Sequence, residues 1–162
     1  MKTIMKILIL GGIIVLTAFS CEKENGVEPE EVPIKIVSGL SVCGDSCYLK
    51  NAKYKDTHFV INSQSEYESL FECNFDYELS IVDFSKNTLL AGSQAVGGIC
   101  PTILSQHVFN YSKNNKIVYE VQIKEGGYAA LGSAYYHALI PKIEKQYDIE
   151  FIVTVESFIK NN

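Results

Sequence analysis

The sequence predicts a mainly β (β-rich α+β) domain, built as an antiparallel sheet or a sandwich, with one short helix near residues 65–73. Three observations support this prediction. Apolar and polar residues alternate along several segments, a polar turn separates two of these segments, and overlapping helix-start signals occur together before residue 70. Half-buried strands with such alternation are typical of a sheet with one solvated face or of two packed sheets.

The predicted helix begins in a serine-rich stretch. Ser63 and Glu66 form a capping-box pattern, and a second one overlaps it two residues later. Tyr67 and Leu70 follow at helical spacing. We therefore predict a short amphipathic helix from about Ser65 to Cys73.

Strands are predicted on both sides of this helix. His58 to Ile61 precede it, and Thr88 to Gly92 form a short apolar run suited to a buried strand. Thr102 to Tyr111 and Lys116 to Ile123 flank Ser112-Lys113-Asn114-Asn115. Because asparagine tolerates positive φ, we predict a hairpin there. Two further strands are predicted over Ser133 to Ile140 and Ile149 to Val155.

The first twenty residues resemble a bacterial lipoprotein signal peptide. Lys2 and Lys6 precede an apolar run over residues 7–16, and small residues follow it. The run is too short to cross a bilayer core of about 30 Å permanently. We predict cleavage before Cys21, whose thiol carries a diacylglycerol and whose amine is acylated, since stable anchoring needs more than one chain. The alternative is a soluble secreted protein with an ordinary cleaved signal.

Cysteine parity favours the lipid anchor. Without Cys21, an even set of four remains, which suits disulfides in an oxidising compartment: Cys43, Cys47, Cys73 and Cys100. We expect a short loop disulfide between Cys43 and Cys47 and a second between Cys73 and Cys100. The competing pattern ties the N-terminal segment to the domain through Cys43 or Cys47.

Residues 21–33 are predicted to be an acidic tether. Five glutamates lie between Glu22 and Pro33, and they repel one another in a stretch with little to bury. Residues 34–162 then form a single domain, since they are too few for two domains of ordinary size. We place the chain at the cell outer membrane, attached by its lipid, with periplasmic and surface display both open.

Charge and composition argue against a nucleic-acid partner. The chain has no arginine, and 12 lysines remain after Lys2 and Lys6 are removed with the signal. Against 19 acidic residues, the mature chain has a formal charge of −7. Affinity for nucleic acid grows with the number of phosphates neutralised, and arginine is their usual bidentate ligand.

No catalytic motif is evident, so no enzyme activity is predicted. His58, His107 and His137 lie in predicted strands, and we interpret them as half-exposed strand residues. The chain has no Gly-x-Ser-x-Gly elbow. Cys43 and Cys47 have three residues between them, whereas redox pairs normally have two, and further zinc ligands are missing nearby. Neither a metal nor another cofactor is predicted.

The stretch Gly126 to Gly132 is glycine-rich but lacks the lysine of a phosphate-binding loop. We interpret it as a flexible connection between strands. It is also the best candidate for a partner-binding loop, because loops on a rigid sheet carry binding and tyrosine is favoured at interfaces. The predicted contact residues are Gly126, Gly127, Tyr128 and Gly132. A second glycine-containing stretch, Gly97-Gly98-Ile99-Cys100-Pro101, has the same two interpretations.

A series of short motifs runs through the chain from about residue 57 to residue 156. In order, the motifs are Ser63-x-x-Glu66-Tyr67, Leu70-Phe71, Val82-Asp83-Phe84-Ser85, Leu89-Leu90-Ala91-Gly92, Gly97-Gly98, Tyr135-Tyr136-His137-Ala138-Leu139 and Pro141-Lys142. This order resembles the protease-complex accessory (PrcB-like) domain family of bacterial lipoproteins. The resemblance implies a small, mainly β domain with one helix, acting as a stabilising partner of a surface protease. Cys73, Cys100 and the segment from Ile34 to Lys55 depart from the family pattern.

These observations together predict a lipid-anchored envelope protein that acts as a non-catalytic binding or accessory module. Its expected partners are the membrane, through the lipid, and a protein, for which the resemblance suggests a secreted or surface protease complex. The alternative from a different class is a surface hydrolase or an inhibitor of one.

Overall fold

The structure, a computed structural model, describes residues 28–144 and 146–157. These residues form one α-helix, α1 (Gln64–Leu70), one 3-10 helix (Ser112–Asn114) and nine strands. The strands are β1 (Glu30–Val32), β2 (Cys47–Leu49), β3 (Thr57–Ile61), β4 (Phe71–Cys73), β5 (Asn87–Ile99), β6 (Thr102–Tyr111), β7 (Lys116–Lys124), β8 (Gly127–Pro141) and β9 (Asp148–Glu156). The predicted mainly β fold with one short helix is confirmed.

The strands form two main sheets and a small ribbon. The outer sheet has the order β1-β6-β7-β9, the central sheet has the order β3-β5-β8, and β2 pairs with β4. All strand pairs are antiparallel except β7 and β9, which are parallel with Ile117 opposite Ile149. The parallel pair arises because β8, which lies in the other sheet, separates β7 from β9 along the chain.

Two hydrophobic clusters lie on the two faces of the central sheet. Leu90 of β5 and Tyr136 of β8 belong to a cluster with Tyr119 of the outer sheet. Leu89, the neighbour of Leu90, belongs to the other cluster with Tyr67 of α1. Successive side chains of a strand point to opposite faces, so the central sheet is covered on both sides. This explains why the start of β5 has the continuous apolar pattern of a fully buried strand.

The predicted capping box starts the helix. The Ser63 hydroxyl accepts a hydrogen bond from the Glu66 N–H at 3.3 Å, and the Glu66 carboxylate accepts one from the Asn62 N–H at 2.9 Å. This backbone hydrogen bond from Asn62 is the main reason why the pKa of Glu66 is lowered. The helix ends at Leu70, before the predicted end at Cys73, because Phe71–Cys73 pairs with β2 as a strand.

The long strands lie where the sequence predicts strands, but they are longer than predicted. The strand predicted over Thr88 to Gly92 continues to Ile99, and the strand over Ser133 to Ile140 occupies Gly127–Pro141. The β6–β7 hairpin closes as predicted, with Asn115 in the left-handed region at φ 48°.

The segment before β2, which has no counterpart in the family pattern, covers the free edge of β8. Lys35 exchanges two backbone hydrogen bonds with Leu139, at 2.9 and 2.8 Å, and the Val42 carbonyl accepts one from the Tyr135 N–H at 2.9 Å. An uncovered strand edge is a template for unwanted pairing. Residues 35–42 therefore protect the central sheet.

The first strand among the described residues lies inside the predicted tether. Glu30–Val32 is strand β1 and pairs with β6, with Glu31 opposite Phe109. This strand lies within residues 21–33, the predicted tether, and extends the outer sheet by one short edge strand. The predicted signal peptide and Cys21 lie outside the described residues. Within the described ranges, no helix has the length and apolar character needed to cross a membrane.

Candidate functional site

The glycine-rich stretch predicted to be a loop is the first part of β8. Its ladder with β5 is irregular between Gly97 and Ile99, so residues 128–130 bulge opposite Gly98 alone. Such bulges bend a strand and redirect its side chains, and they are frequent beside functional sites. The prediction of a flexible connection is therefore wrong, because ladder pairing with β5 continues on both sides of the bulge.

Glycine is required here because two backbones lie in close contact. A Cβ atom added to Gly126 would overlap the Ile99 carbonyl, and one added to Gly132 would overlap the Gly98 carbonyl. Gly98 also has φ +81°, a conformation that L-residues rarely adopt. Gly127, in contrast, has open space where a Cβ would be. Most of these glycines thus build a rigid frame at one end of the central sheet.

Large apolar side chains project from this frame. Tyr128 is 87% exposed, Leu131 is 59% exposed and Ile99 is 54% exposed. We call these three residues the apolar tip. Tyr128 has φ 71°, and non-glycine residues held in this region are often found at functional positions. Exposed apolar residues grouped on a rigid support are a feature of surfaces that bind other proteins.

The structure divides the predicted contact residues into two roles. Gly126 and Gly132 hold the frame together, while Tyr128 presents a side chain to solvent. Ile99 and Leu131 lie in the two glycine-rich stretches but were not among the predicted contact residues, since an exposed apolar residue in a strand has the same sequence pattern as a buried one. The available signal was the recurrence of Gly-Gly at residues 97–98 and 126–127, which the ladder brings together.

His137 is buried, with 6% of its surface exposed. Its Nε2 lies 3.2 Å from both the backbone nitrogen and the carbonyl oxygen of Val37, and the tautomer decides which of the two it bonds. Burial lowers the pKa of His137 to about 4. The prediction of a half-exposed side chain is wrong for this residue, because the segment before β2 packs over it.

The other two histidines also have structural partners. His58 is exposed, lies 2.9 Å by its Nδ1 from the Tyr136 hydroxyl, and stacks on Phe151 at 4.7 Å between ring centroids. Partial burial lowers the pKa of His58. His107 is exposed as well, and its Nδ1 lies 2.7 Å from a carboxylate oxygen of Glu31.

The outer face of the outer sheet carries one groove that contains a serine and a histidine. Ser105, His107 and Glu120 line this groove, whose volume is about 210 Å³. The Ser105 hydroxyl donates to Gln122 at 3.4 Å, and no hydrogen bond joins it to His107 among the described residues. A nucleophile and its base must lie within hydrogen-bonding reach of each other. The groove therefore does not present an assembled Ser-His pair.

The cysteines are paired differently from the prediction. Cys47 of β2 and Cys73 of β4 form a disulfide, because the ladder of these strands places them directly opposite each other. The predicted Cys43–Cys47 and Cys73–Cys100 bonds are therefore wrong, and the competing pattern, in which the N-terminal segment is tied to the domain, is the one observed. Cys43 and Cys100 carry free thiols. Within the described ranges, no group of three or more His, Cys, Asp or Glu residues could hold a metal ion.

Comparison with known proteins finds no matching family model, no matching curated protein and no matching solved structure. The resemblance to protease-complex accessory domains therefore stays a prediction from the sequence motifs.

Proposed function

We propose that this chain is a lipid-anchored protein of the cell envelope that binds another protein through its apolar tip and performs no catalysis. The observation that carries the proposal is the exposure of Ile99, Tyr128 and Leu131 on a frame of closely packed glycines. Tyrosine and aliphatic anchors supply contact area, and a rigid support reduces the entropy lost on binding.

The position of the tip suits a tethered binding module. The lipid would be attached at Cys21, and the acidic stretch after it would hold the domain away from the membrane. The tip lies at the end of the β5–β8 ladder where the chain crosses into the outer sheet. A protein partner at the membrane surface would meet apolar side chains there, and their removal from water would contribute about 25 cal/mol per Å² of buried apolar area.

The motif series from residue 63 to residue 142 makes a secreted or surface protease complex the partner that we propose. In that role the chain stabilises the complex and does not cleave substrates. The alternative, a surface hydrolase or an inhibitor of one, has less support, because Ser105 in the His107 groove bonds to Gln122.

Site-specific photo-crosslinking tests the proposal in intact cells. A photoreactive phenylalanine analogue would replace Tyr128 in the full-length chain, and a matched variant would carry it at Phe75, which is 97% exposed in the connection between β4 and β5. We expect position 128 to crosslink to a protease subunit, identified by mass spectrometry, and position 75 to give no such product. Equal products at both positions, or none at position 128, would contradict the proposal.

A further inference from the structure

The two free thiols lie close to each other in the fold, although 56 residues separate them in the sequence. The Cys43 thiol is within hydrogen-bonding reach of the Cys100 thiol. It also lies 4.0 Å from the carbonyl oxygen of Pro101, the residue that follows Cys100. The pair is accessible, since Cys43 is half-buried and Cys100 is exposed.

Cys43 is held in a well-defined turn. The buried Ser41 hydroxyl accepts hydrogen bonds from the backbone N–H groups of Cys43 and Asp45 at 3.0 Å and of Gly44 at 2.7 Å. The same hydroxyl donates to the Asp45 carboxylate. The turn is fixed to β8 by the hydrogen bond between the Val42 carbonyl and the Tyr135 N–H. The Cys43 side chain therefore has little freedom to move away from its neighbour.

Cys100 is also fixed, in the crossover between β5 and β6. Its φ is 52°, in the left-handed region, where glycine or asparagine would be accommodated more easily. Pro101 follows Cys100 in the chain and restricts the backbone there. Two residues before Cys100, the Gly98 backbone packs against Gly126. Both thiols are thus placed by rigid backbone before any bond forms between them.

We propose that Cys43 and Cys100 form a second, solvent-accessible disulfide of this chain by exchange with an external disulfide. This inference does not depend on the proposed function. It follows from the proximity of the two thiols and from the Cys47–Cys73 bond, which leaves these two cysteines for each other.

The exchange begins at Cys100. Its thiolate attacks one sulfur of the external disulfide, forms a mixed disulfide and releases one thiolate. Cys43 then transfers its proton to the released thiolate or to water and attacks the Cys100 sulfur, which expels the second thiolate. The two protein thiols lose two electrons and two protons in total, and the external disulfide is reduced to two thiols.

The order of these steps follows from the two environments. Burial, together with the hydrogen bond and the charge of Cys100, raises the pKa of Cys43 to about 12. Only the thiolate is an effective nucleophile, so the exposed Cys100 reacts first with a reagent from solution. Once Cys100 is in a mixed disulfide, it no longer carries a charge that opposes ionisation of Cys43.

Peptide mapping after oxidation tests the pairing. The full mature chain would be treated with glutathione disulfide, its remaining thiols blocked with N-ethylmaleimide, and the product cleaved without reduction. Cleavage before Asp45 separates Cys43 from Cys47, and cleavage before Asp76 or Asp83 separates Cys73 from Cys100. We expect linked peptides for Cys43–Cys100 and Cys47–Cys73. Alkylation of both Cys43 and Cys100 after full exposure to the oxidant would overturn the proposal, as would a Cys73–Cys100 peptide.

Two single variants test the order of reaction. Cys43→Ser should accumulate glutathione on Cys100, because the second thiol is missing. Cys100→Ser should leave Cys43 modified at least about tenfold more slowly, since burial, the largest cause of its raised pKa, still holds its thiol protonated. Retention of the Cys47–Cys73 bond in each variant shows that the fold is intact. Equal rates of modification in the two variants, with that bond retained, would contradict the assignment of Cys100 as the entry point.

Discussion

The imidazole Nε2 of His137 lies 3.2 Å from both the backbone nitrogen and the carbonyl oxygen of Val37, which ties the segment before β2 to β8. Burial disfavours the charged ring and lowers its pKa to about 4, so the imidazole packed under this segment is neutral near pH 7. The protonation state of one buried side chain is therefore linked to the docking of the segment that protects the sheet edge.

Acid should destabilise the fold through His137. The pKa of His137 is about 4 in the folded chain and near 6.5 when unfolded, so the unfolded state binds the proton first as the pH falls. The free energy of unfolding should fall between about pH 6.5 and pH 4, by about 3 kcal/mol from this group. Denaturant titrations at several pH values would measure this fall.

The matched variant for this prediction is His137→Gln. Its amide can accept from the Val37 N–H or donate to the Val37 carbonyl, and it does not titrate. Other groups, including His58, titrate in both proteins, so the difference between the two pH profiles isolates His137. Parallel profiles for wild type and variant would show that His137 does not carry the pH dependence.

The two adjacent glycines at the start of β8 should differ sharply in their tolerance of a methyl group. Gly126→Ala would place a Cβ against the Ile99 carbonyl, and overpacking of this kind costs about 1–3 kcal/mol of unfolding free energy. Gly127→Ala meets open space and should change stability by less than about 0.5 kcal/mol. Thermal or denaturant unfolding checks both. Equal effects of the two substitutions would argue against the glycine frame.

The Cys47–Cys73 bond should be a major source of stability. It closes a loop with a sequence separation of 26, and in the chain-entropy model such a closure stabilises a fold by about 3–4 kcal/mol. The double variant Cys47→Ala/Cys73→Ala should lose about this amount of unfolding free energy. Cys43→Ala, measured with the Cys47–Cys73 bond intact and before any exposure to an external disulfide, is the control and should lose less than about 1 kcal/mol. A similar loss for the control and the double variant would contradict the assignment.

The lipid anchor at Cys21 has its own test. Cys21→Ser should block lipid transfer and leave an uncut or released chain, because stable membrane binding needs the acyl chains. Labelling of cells with a palmitate analogue should mark the wild type and the Cys43→Ser control, but not the Cys21→Ser variant. Labelling of that variant at the wild-type level would show that the anchor lies elsewhere.

Local signals in the sequence predicted the local structure correctly. The capping box at Ser63 and Glu66 starts α1, and Asn115 adopts the positive φ that closes the β6–β7 hairpin. Each of these features depends on residues within a few positions of each other. The sequence therefore contains enough information to place them without the rest of the fold.

Features set by distant contacts were not predictable in the same way. Val37 and His137 meet because the N-terminal segment lies along β8, and no local pattern specifies that position. The disulfide partner of Cys47 depends on the β2–β4 ladder, which also shortens the helix. The same holds for the candidate site. Its glycines could be recognised from the sequence, but their contact across the β5–β8 ladder could not be predicted.

The central claim, that the apolar tip binds a protease complex, is tested most directly by affinity isolation from solubilised outer membrane. Tagged wild-type chain would be compared with Tyr128→Ser and with Phe75→Ser, a control that removes an equally exposed aromatic ring away from the tip. The wild type and Phe75→Ser should recover equal amounts of one protease subunit, and Tyr128→Ser should recover at least about tenfold less, since an aromatic anchor often contributes more than 1.4 kcal/mol. Equal recovery by all three chains, or no protease with the wild type, would contradict the account.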